Sequence, residues 1–207
     1  MSDARPSKIV CIGLNYVKHA AELGAPLPEE PLIFFKPPSS LIDSGEPIVM
    51  PRASEQVDFE GEIGVRIGKR ARNVAAASAW NYVDGLMALN DVTARDLQNK
   101  DGQWSRAKGF DTFCPVGSVV PLPQVDLDAL SVKTRVNGEV RQESGADDMV
   151  FDIPTLIEYV SHVMTLEPGD LIATGTPHGI GPLKEGDEVE VEVGGVGSVV
   201  NPVITDI

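Results

Sequence analysis

The stretch Val57-Asp58-Phe59-Glu60-Gly61-Glu62-Ile63-Gly64-Val65-Arg66-Ile67 alternates along its whole length. Val57, Phe59, Gly61, Ile63, Val65 and Ile67 fall on one face and Asp58, Glu60, Glu62, Gly64 and Arg66 on the other, the period-two pattern of a strand. Side chains at i and i+2 of a strand point the same way about 7 Å apart, so Glu60 and Glu62 stand together with Asp58 beside them. Like charges on one face repel, and a divalent cation is one remedy, because Mg²⁺ and Mn²⁺ take hard carboxylate ligands. A solvated strand face is the other reading. The sequence carries its own control in Glu188, Glu190 and Glu192, which alternate with Val189, Val191 and Val193 and bring no other polar chemistry with them.

Outward from that strand, most of the chain reads as short extended pieces. Lys8–Gly13, Pro31–Lys36, Ile48–Met50, Tyr82–Leu89, Leu171–Thr174 and Asp187–Val193 are strand-like, with proline or glycine turns between them. A short helix through about Leu23 follows Asn15 as its N-cap, Val74–Trp80 reads as helical, and Asn90-Asp91 opens another short helix through Gln98. Asp152–Thr165 is the best-marked helix, with Pro154 in its first turn and Ile153, Leu156, Ile157, Val160 and Met164 at helical spacing. Many strands and few helices imply a β-rich α+β domain.

The 207 residues are enough for one domain with its own core, here taken as residues 1–207 with 1–7 loose. No apolar run approaches the roughly 20 residues of a membrane helix, and Met1–Lys8 lacks the apolar region of a signal peptide. Cys11 and Cys114 are too far apart to form a disulfide framework, which points to the cytoplasm. The formal charge of −14 disfavours nucleic acid and anionic membranes as partners. It also means that an acidic substrate would need local positive charge.

Other residues offer chemistry singly. Asp91 is either a third carboxylate for a cation or the N-cap of its helix. His19 and Glu22 stand at i and i+3, either a general base with its orienting carboxylate or a surface pair. Lys108, near Trp104 and Phe110, either faces a pocket or is exposed. Thr174-Gly-Thr-Pro-His-Gly-Ile-Gly181 either offers backbone N–H groups to an anion or is a plain turn, with His178 undecided; His162 reads as structural. Nucleophile-elbow, zinc-helix and paired CxxC motifs are absent.

Taken in order, six blocks resemble the fumarylacetoacetate hydrolase superfamily over nearly the whole chain. They are Cys-Ile-Gly-Leu-Asn-Tyr-Val-Lys-His-Ala-Ala-Glu (11–22), Phe-Phe-Lys-Pro (34–37), Asp-Phe-Glu-Gly-Glu (58–62), Asn-Asp-Val-Thr-Ala-Arg-Asp-Leu-Gln (90–98), Ala-Lys-Gly-Phe-Asp (107–111) and Thr-Gly-Thr-Pro (174–177). The resemblance implies a mixed β-sandwich roll of the C-terminal domain type, assembled as a homodimer. It places metal ligands for Mg²⁺ (or Mn²⁺) at Glu60, Glu62 and Asp91. It places a catalytic His–Glu pair, on a lid helix, at His19 and Glu22, a catalytic lysine at Lys108, and substrate contacts at Arg95, Gln98 and Thr176. Phe59 stands where a tyrosine is usual, and His178 where a small residue is common.

The implied activity is hydrolysis of a C–C bond in an acylpyruvate such as fumarylpyruvate, through an enolate, with His19 activating water. The alternative keeps the enolate and omits the water: isomerisation or decarboxylation of an unsaturated 2-oxo diacid, or tautomerisation or decarboxylation of oxaloacetate. A non-catalytic carboxylate-binding protein is the third possibility.

Overall fold

The alternating stretch is the point from which two sheets depart. In the computed structural model, which describes residues 5–206, it is not one strand. Val57–Phe59 pairs with Thr93–Ala94 and Gly181–Pro182 in a three-stranded sheet, while Gly61–Ile67 lies inside an eight-stranded sheet. Glu60 is the residue at the break. Its N–H donates to Asn90 Oδ1 at 3.0 Å, and its carbonyl accepts from Asp91 N at 2.8 Å.

The eight-stranded sheet runs Leu32–Lys36, Ile9–Gly13, Leu171–Ala173, Gly61–Ile67, Val83–Asn90, Cys114–Val116, Leu41–Asp43, with Val120–Pro121 also paired to Val83–Asn90. It is mixed, since Ile9–Gly13 with Leu171–Ala173 and Leu41–Asp43 with Cys114–Val116 are parallel pairs. A five-stranded sheet runs Glu139–Gly145, Ser131–Val136, Glu188–Val193, Gly197–Thr205, Ile48–Met50. The main core lies between these sheets, where Ile63, Val65, Ile67 and Leu86 meet Val132, Val191, Val193 and Val199. Each such buried aliphatic side chain contributes about 1.5–3 kcal/mol. Helix Ile153–Val163 closes the core through Leu156, Ile157 and Val160, and Asp152 caps it by accepting from Thr155 N at 2.9 Å. The strand-rich α+β class and the mixed sandwich roll are what the structure has.

Three local expectations are corrected. Asn15 does not cap the helix Val17–Glu22; its buried carboxamide donates to Phe151 O and Thr174 O and accepts from Phe151 N. Asn90 ends a strand, and the helix opens only at Arg95, so Asp91 is not an N-cap. The helix read over 74–80 is present but lies two residues later, as a 3₁₀ helix over Ala76–Tyr82. The loose segment expected at 1–7 falls mostly outside the described residues; at its end, Ser7 N and Oγ donate to the buried Asp170 carboxylate.

Candidate metal and active site

The break at Glu60 brings three acidic side chains to one place. One oxygen each from Glu60, Glu62 and Asp91 lie within 4.8 Å of one another, and all three residues are buried. Asp91 arrives from the end of Val83–Asn90, the strand hydrogen-bonded to Gly61–Ile67. Burying three carboxylates together is costly unless cations answer them.

Lysine and arginine supply part of that answer. Lys108, 1% exposed at the end of the short helix Ser105–Lys108, donates from Nζ to Glu60 Oε2 and Asp91 Oδ2, both at 2.7 Å. Lys36 Nζ lies 2.7 Å from the other Asp91 oxygen, Oδ1, and donates to Val92 O. Arg95 bridges Asp58 Oδ2 at 2.8 Å and Glu60 Oε1, and also donates to Gln98 Oε1. Four buried carboxylates, with Asp58 counted, thus meet three cations, and one negative charge is left over.

The surplus falls on Glu62. It has no ion pair among the described residues and accepts a single backbone bond, from Gly175 N at 2.8 Å. Burial, then Asp91 and Glu60, push its carboxyl well above the usual glutamate range. Burial opposes the ionised form of Glu60 too, but Lys108 and Arg95 prevail and hold it well below that range. Burial likewise works against the charged form of Lys108, yet Asp91 and Glu60 keep its ammonium more firmly protonated than a free lysine. Three clustered hard oxygen donors, one of them without a counter-ion, suit a divalent cation, so the residues present fit one.

The triad opens on a cavity of about 230 Å³. Of the nine residues singled out by sequence, His19, Glu60, Glu62, Arg95, Gln98, Lys108 and Thr176 line it. Asp91 stands behind Lys108, and Glu22 behind His19. His19 is buried, and its Nδ1 lies 3.1 Å from Glu22 Oε2. Glu22 also accepts from Gly179 N, which ties the His19 helix to the Thr174–Gly181 loop. That loop therefore spends two of its N–H groups on the protein's own carboxylates, Glu62 and Glu22. Gly175 is required there, because its φ is +102° and a Cβ would stand 2.7 Å from Asn15 Cβ. Among the described residues His178 Nδ1 is buried without a hydrogen-bond partner, and His162 Nδ1 lies 2.7 Å from Glu158 O.

Three participants carried no role in the sequence reading. Lys36 lay inside a quoted block, but nothing in the pattern distinguishes a lysine that turns inward. Phe34 carries the Lys108 ammonium 4.9 Å from its ring centroid and meets Trp104 edge-on, where Trp104 and Phe110 had been the expected aromatic neighbours. Gln142 sits in a polar strand of the other sheet and reaches the site across the core. A larger cavity, about 690 Å³, opens elsewhere around Arg66, Asp84 and Val116 and contains none of the triad.

Residues 8–204 match the fumarylacetoacetate (FAA) hydrolase C-terminal family. The chain belongs to that family. Among its relatives here is the mitochondrial oxaloacetate tautomerase of Mus musculus, 43% identical over 196 residues, covering 92% of this chain and 89% of the relative. The mitochondrial oxaloacetate decarboxylase of Dictyostelium discoideum is 42% identical over 195 residues, covering 91% and 89%. Among solved structures, a 5-carboxymethyl-2-hydroxymuconate delta-isomerase from Mycobacterium smegmatis superposes with a TM-score of 0.91 at 45% identity, covering 98% of this chain and 80% of that one. The fold of the fumarylacetoacetate hydrolase C-terminal domain is thus the fold of this chain, and the relatives carry isomerase, tautomerase and decarboxylase names. Among the described residues no helix is long and apolar enough to cross a membrane.

Proposed function

We propose that this fumarylacetoacetate hydrolase family enzyme uses Mg²⁺ (or Mn²⁺) to form and reprotonate the enolate of a small 2-oxo diacid, by tautomerisation, decarboxylation or isomerisation. The observation that carries it is the buried triad Glu60, Glu62 and Asp91, with Glu62 lacking a counter-ion among the described residues, opening on a cavity sized for a small acid. The relatives' names support this branch over acylpyruvate hydrolysis.

Glu60, Glu62 and Asp91 would hold the cation, which supplies Lewis acidity and a positive charge for the substrate's carboxylate and 2-oxo oxygens. Lys108, kept protonated by two carboxylates, places a second positive charge where an enolate oxygen develops. Arg95, fixed by Asp58 and Glu60, holds Gln98 against the cavity wall for a substrate carboxylate. Glu22 holds His19 at Nδ1, which leaves Nε2 to exchange a proton with a substrate carbon. Ile12, Leu14 and Trp104 line the same cavity and limit water.

The His19–Glu22 contact at 3.1 Å also supports a second reading, in which His19 Nε2 takes a proton from water and an acylpyruvate is hydrolysed. A panel of oxaloacetate, an unsaturated 2-oxo diacid and acylpyruvates, each with Mg²⁺ and with chelator, separates the two. Mg²⁺-dependent enol–keto exchange or CO₂ release without acyl cleavage is expected. Acyl cleavage that releases pyruvate and collapses in His19→Ala would install the hydrolase reading instead. Turnover unaffected by chelator would remove the metal from both.

A further inference from the structure

Gln142 lies on Glu139–Gly145, an edge strand of the five-stranded sheet, yet it is 1% exposed. The neighbours that alternate with it along the strand, Arg141 and Glu143, are exposed. Its carboxamide is fully engaged. Oε1 accepts from Gly61 N at 3.0 Å, and Nε2 donates to Thr176 Oγ1 and to Pro177 O, both at 2.8 Å. One side chain from outside the eight-stranded sheet therefore grips the residue between Glu60 and Glu62 and, at the same time, the loop residue facing the cavity.

The contact is close by construction. A Cβ at Gly61 would lie 2.1 Å from Thr134 Oγ1 and 3.2 Å from Gln142 Oε1, so only glycine lets the strand break approach the opposite sheet. Thr176 Oγ1 closes the circuit by donating to Gly61 O at 2.9 Å. A hydroxyl has one proton and two lone pairs. With its proton on Gly61 O and one lone pair taken by Gln142, the Thr176 hydroxyl is spent on tying its loop to the Glu60–Glu62 turn.

We propose that Gln142 is a positioning residue, which acts on the substrate through Thr176 by fixing the distance between the Thr176 loop and the Glu60–Glu62 turn. Among the described residues it hydrogen-bonds to none of the triad carboxylates, and it is not part of the cavity lining. Removing it deprives Gly61 N and Pro177 O of the amide that joins them, which loosens the loop against the Glu60–Glu62 turn. The proposal rests on the reading of Thr176 as facing substrate and of the triad as holding a cation.

The test is a double-mutant cycle on ligand binding rather than turnover, with Mn²⁺ followed by electron paramagnetic resonance and oxalate, a planar dianion shaped like the enolate of a 2-oxo acid, by calorimetry. Gln142→Met, close in volume and without an amide, is expected to weaken oxalate binding to the Mn²⁺-loaded protein about tenfold. Thr176→Val should lose a similar factor, Thr176→Ser little, and the Met/Val double variant no more than the poorer single. If Gln142→Met does not fold, Gln142→Asn, too short to span Gly61 N and Pro177 O together, takes its place in the same cycle. Oxalate affinity unchanged in the Gln142 variant, or losses that multiply in the double variant, would overturn the role assigned to Gln142 alone. An unmodified chain that binds no Mn²⁺ would overturn this proposal together with the reading beneath it.

Discussion

Two strands in this protein carry the same acidic stripe and meet opposite fates. Glu188, Glu190 and Glu192 alternate with valines as cleanly as Asp58, Glu60 and Glu62 alternate with their neighbours. Glu188 is exposed, and Arg135 Nη1 lies 3.0 Å from Glu190 and 2.8 Å from Glu192 on a partly solvated face. Glu60 and Glu62 are 5% and 1% exposed and share their burial with Asp91 and three cations. What separates the two is whether a second layer lies over the acidic face. Water dissipates the charge of the outer stripe, whereas the inner one must be balanced by groups that the fold delivers.

The sharpest way to break the comparison is to remove one acid from each stripe. Glu60→Ala or Asp91→Ala is expected to reduce metal-dependent turnover about a thousandfold or more and to abolish Mn²⁺ binding, because several kcal/mol of charge stabilisation disappear. Glu190→Ala should leave both unchanged. Mn²⁺ binding that survives in Asp91→Ala would show that the inner stripe, too, is only a balanced ion cluster.

The next effect is on stability against pH in the metal-free protein. Burial, then Asp91 and Glu60, raise the Glu62 carboxyl above its ordinary 4.5 in the fold. A group raised on folding contributes stability that is fully present below that ordinary value and is lost as pH climbs through the raised one. The urea midpoint in chelator should therefore fall as pH rises above about 4.5, and Mg²⁺ or Glu62→Gln should flatten that limb. Glu60 has the opposite sign, since its contribution is lost as pH falls through its lowered value, and it shapes only the acid side. A midpoint that rises with pH across the neutral range in chelator would contradict the charge balance derived for the site.

The smallest effect belongs to the outer stripe. Arg135→Ala should leave the urea midpoint nearly unchanged and turnover intact, as expected of partly exposed ion pairs. A marked fall in the midpoint would mean the outer stripe is more dependent on its partner than its exposure implies.

Much of the site was legible because its chemistry is concentrated in short, ordered blocks. Seven of the nine residues singled out line one cavity. What escaped were groups whose direction depends on a partner far along the chain. Asn15 is a good N-cap residue by type, yet its carboxamide is taken by Phe151 and Thr174. Val57–Ile67 alternates without interruption, but its two halves answer to different neighbours and part at Glu60. Lys36 and Gln142 look like ordinary polar residues on strands, and only the layers packed over them turn them into counter-ion and cross-link.

The sequence by itself determined the strand-rich class, the absence of a long apolar helix and most of the residues that gather at one cavity, because periodicity, residue type and short ordered blocks are local properties. Only the tertiary structure decided which acidic stripe is buried, that Lys108 and Lys36 hold Asp91 from its two oxygens, and that an amide from the opposite sheet fixes Thr176. Burial and charge balance are sums over everything packed around a group, and those neighbours come from five or more separate segments of the chain.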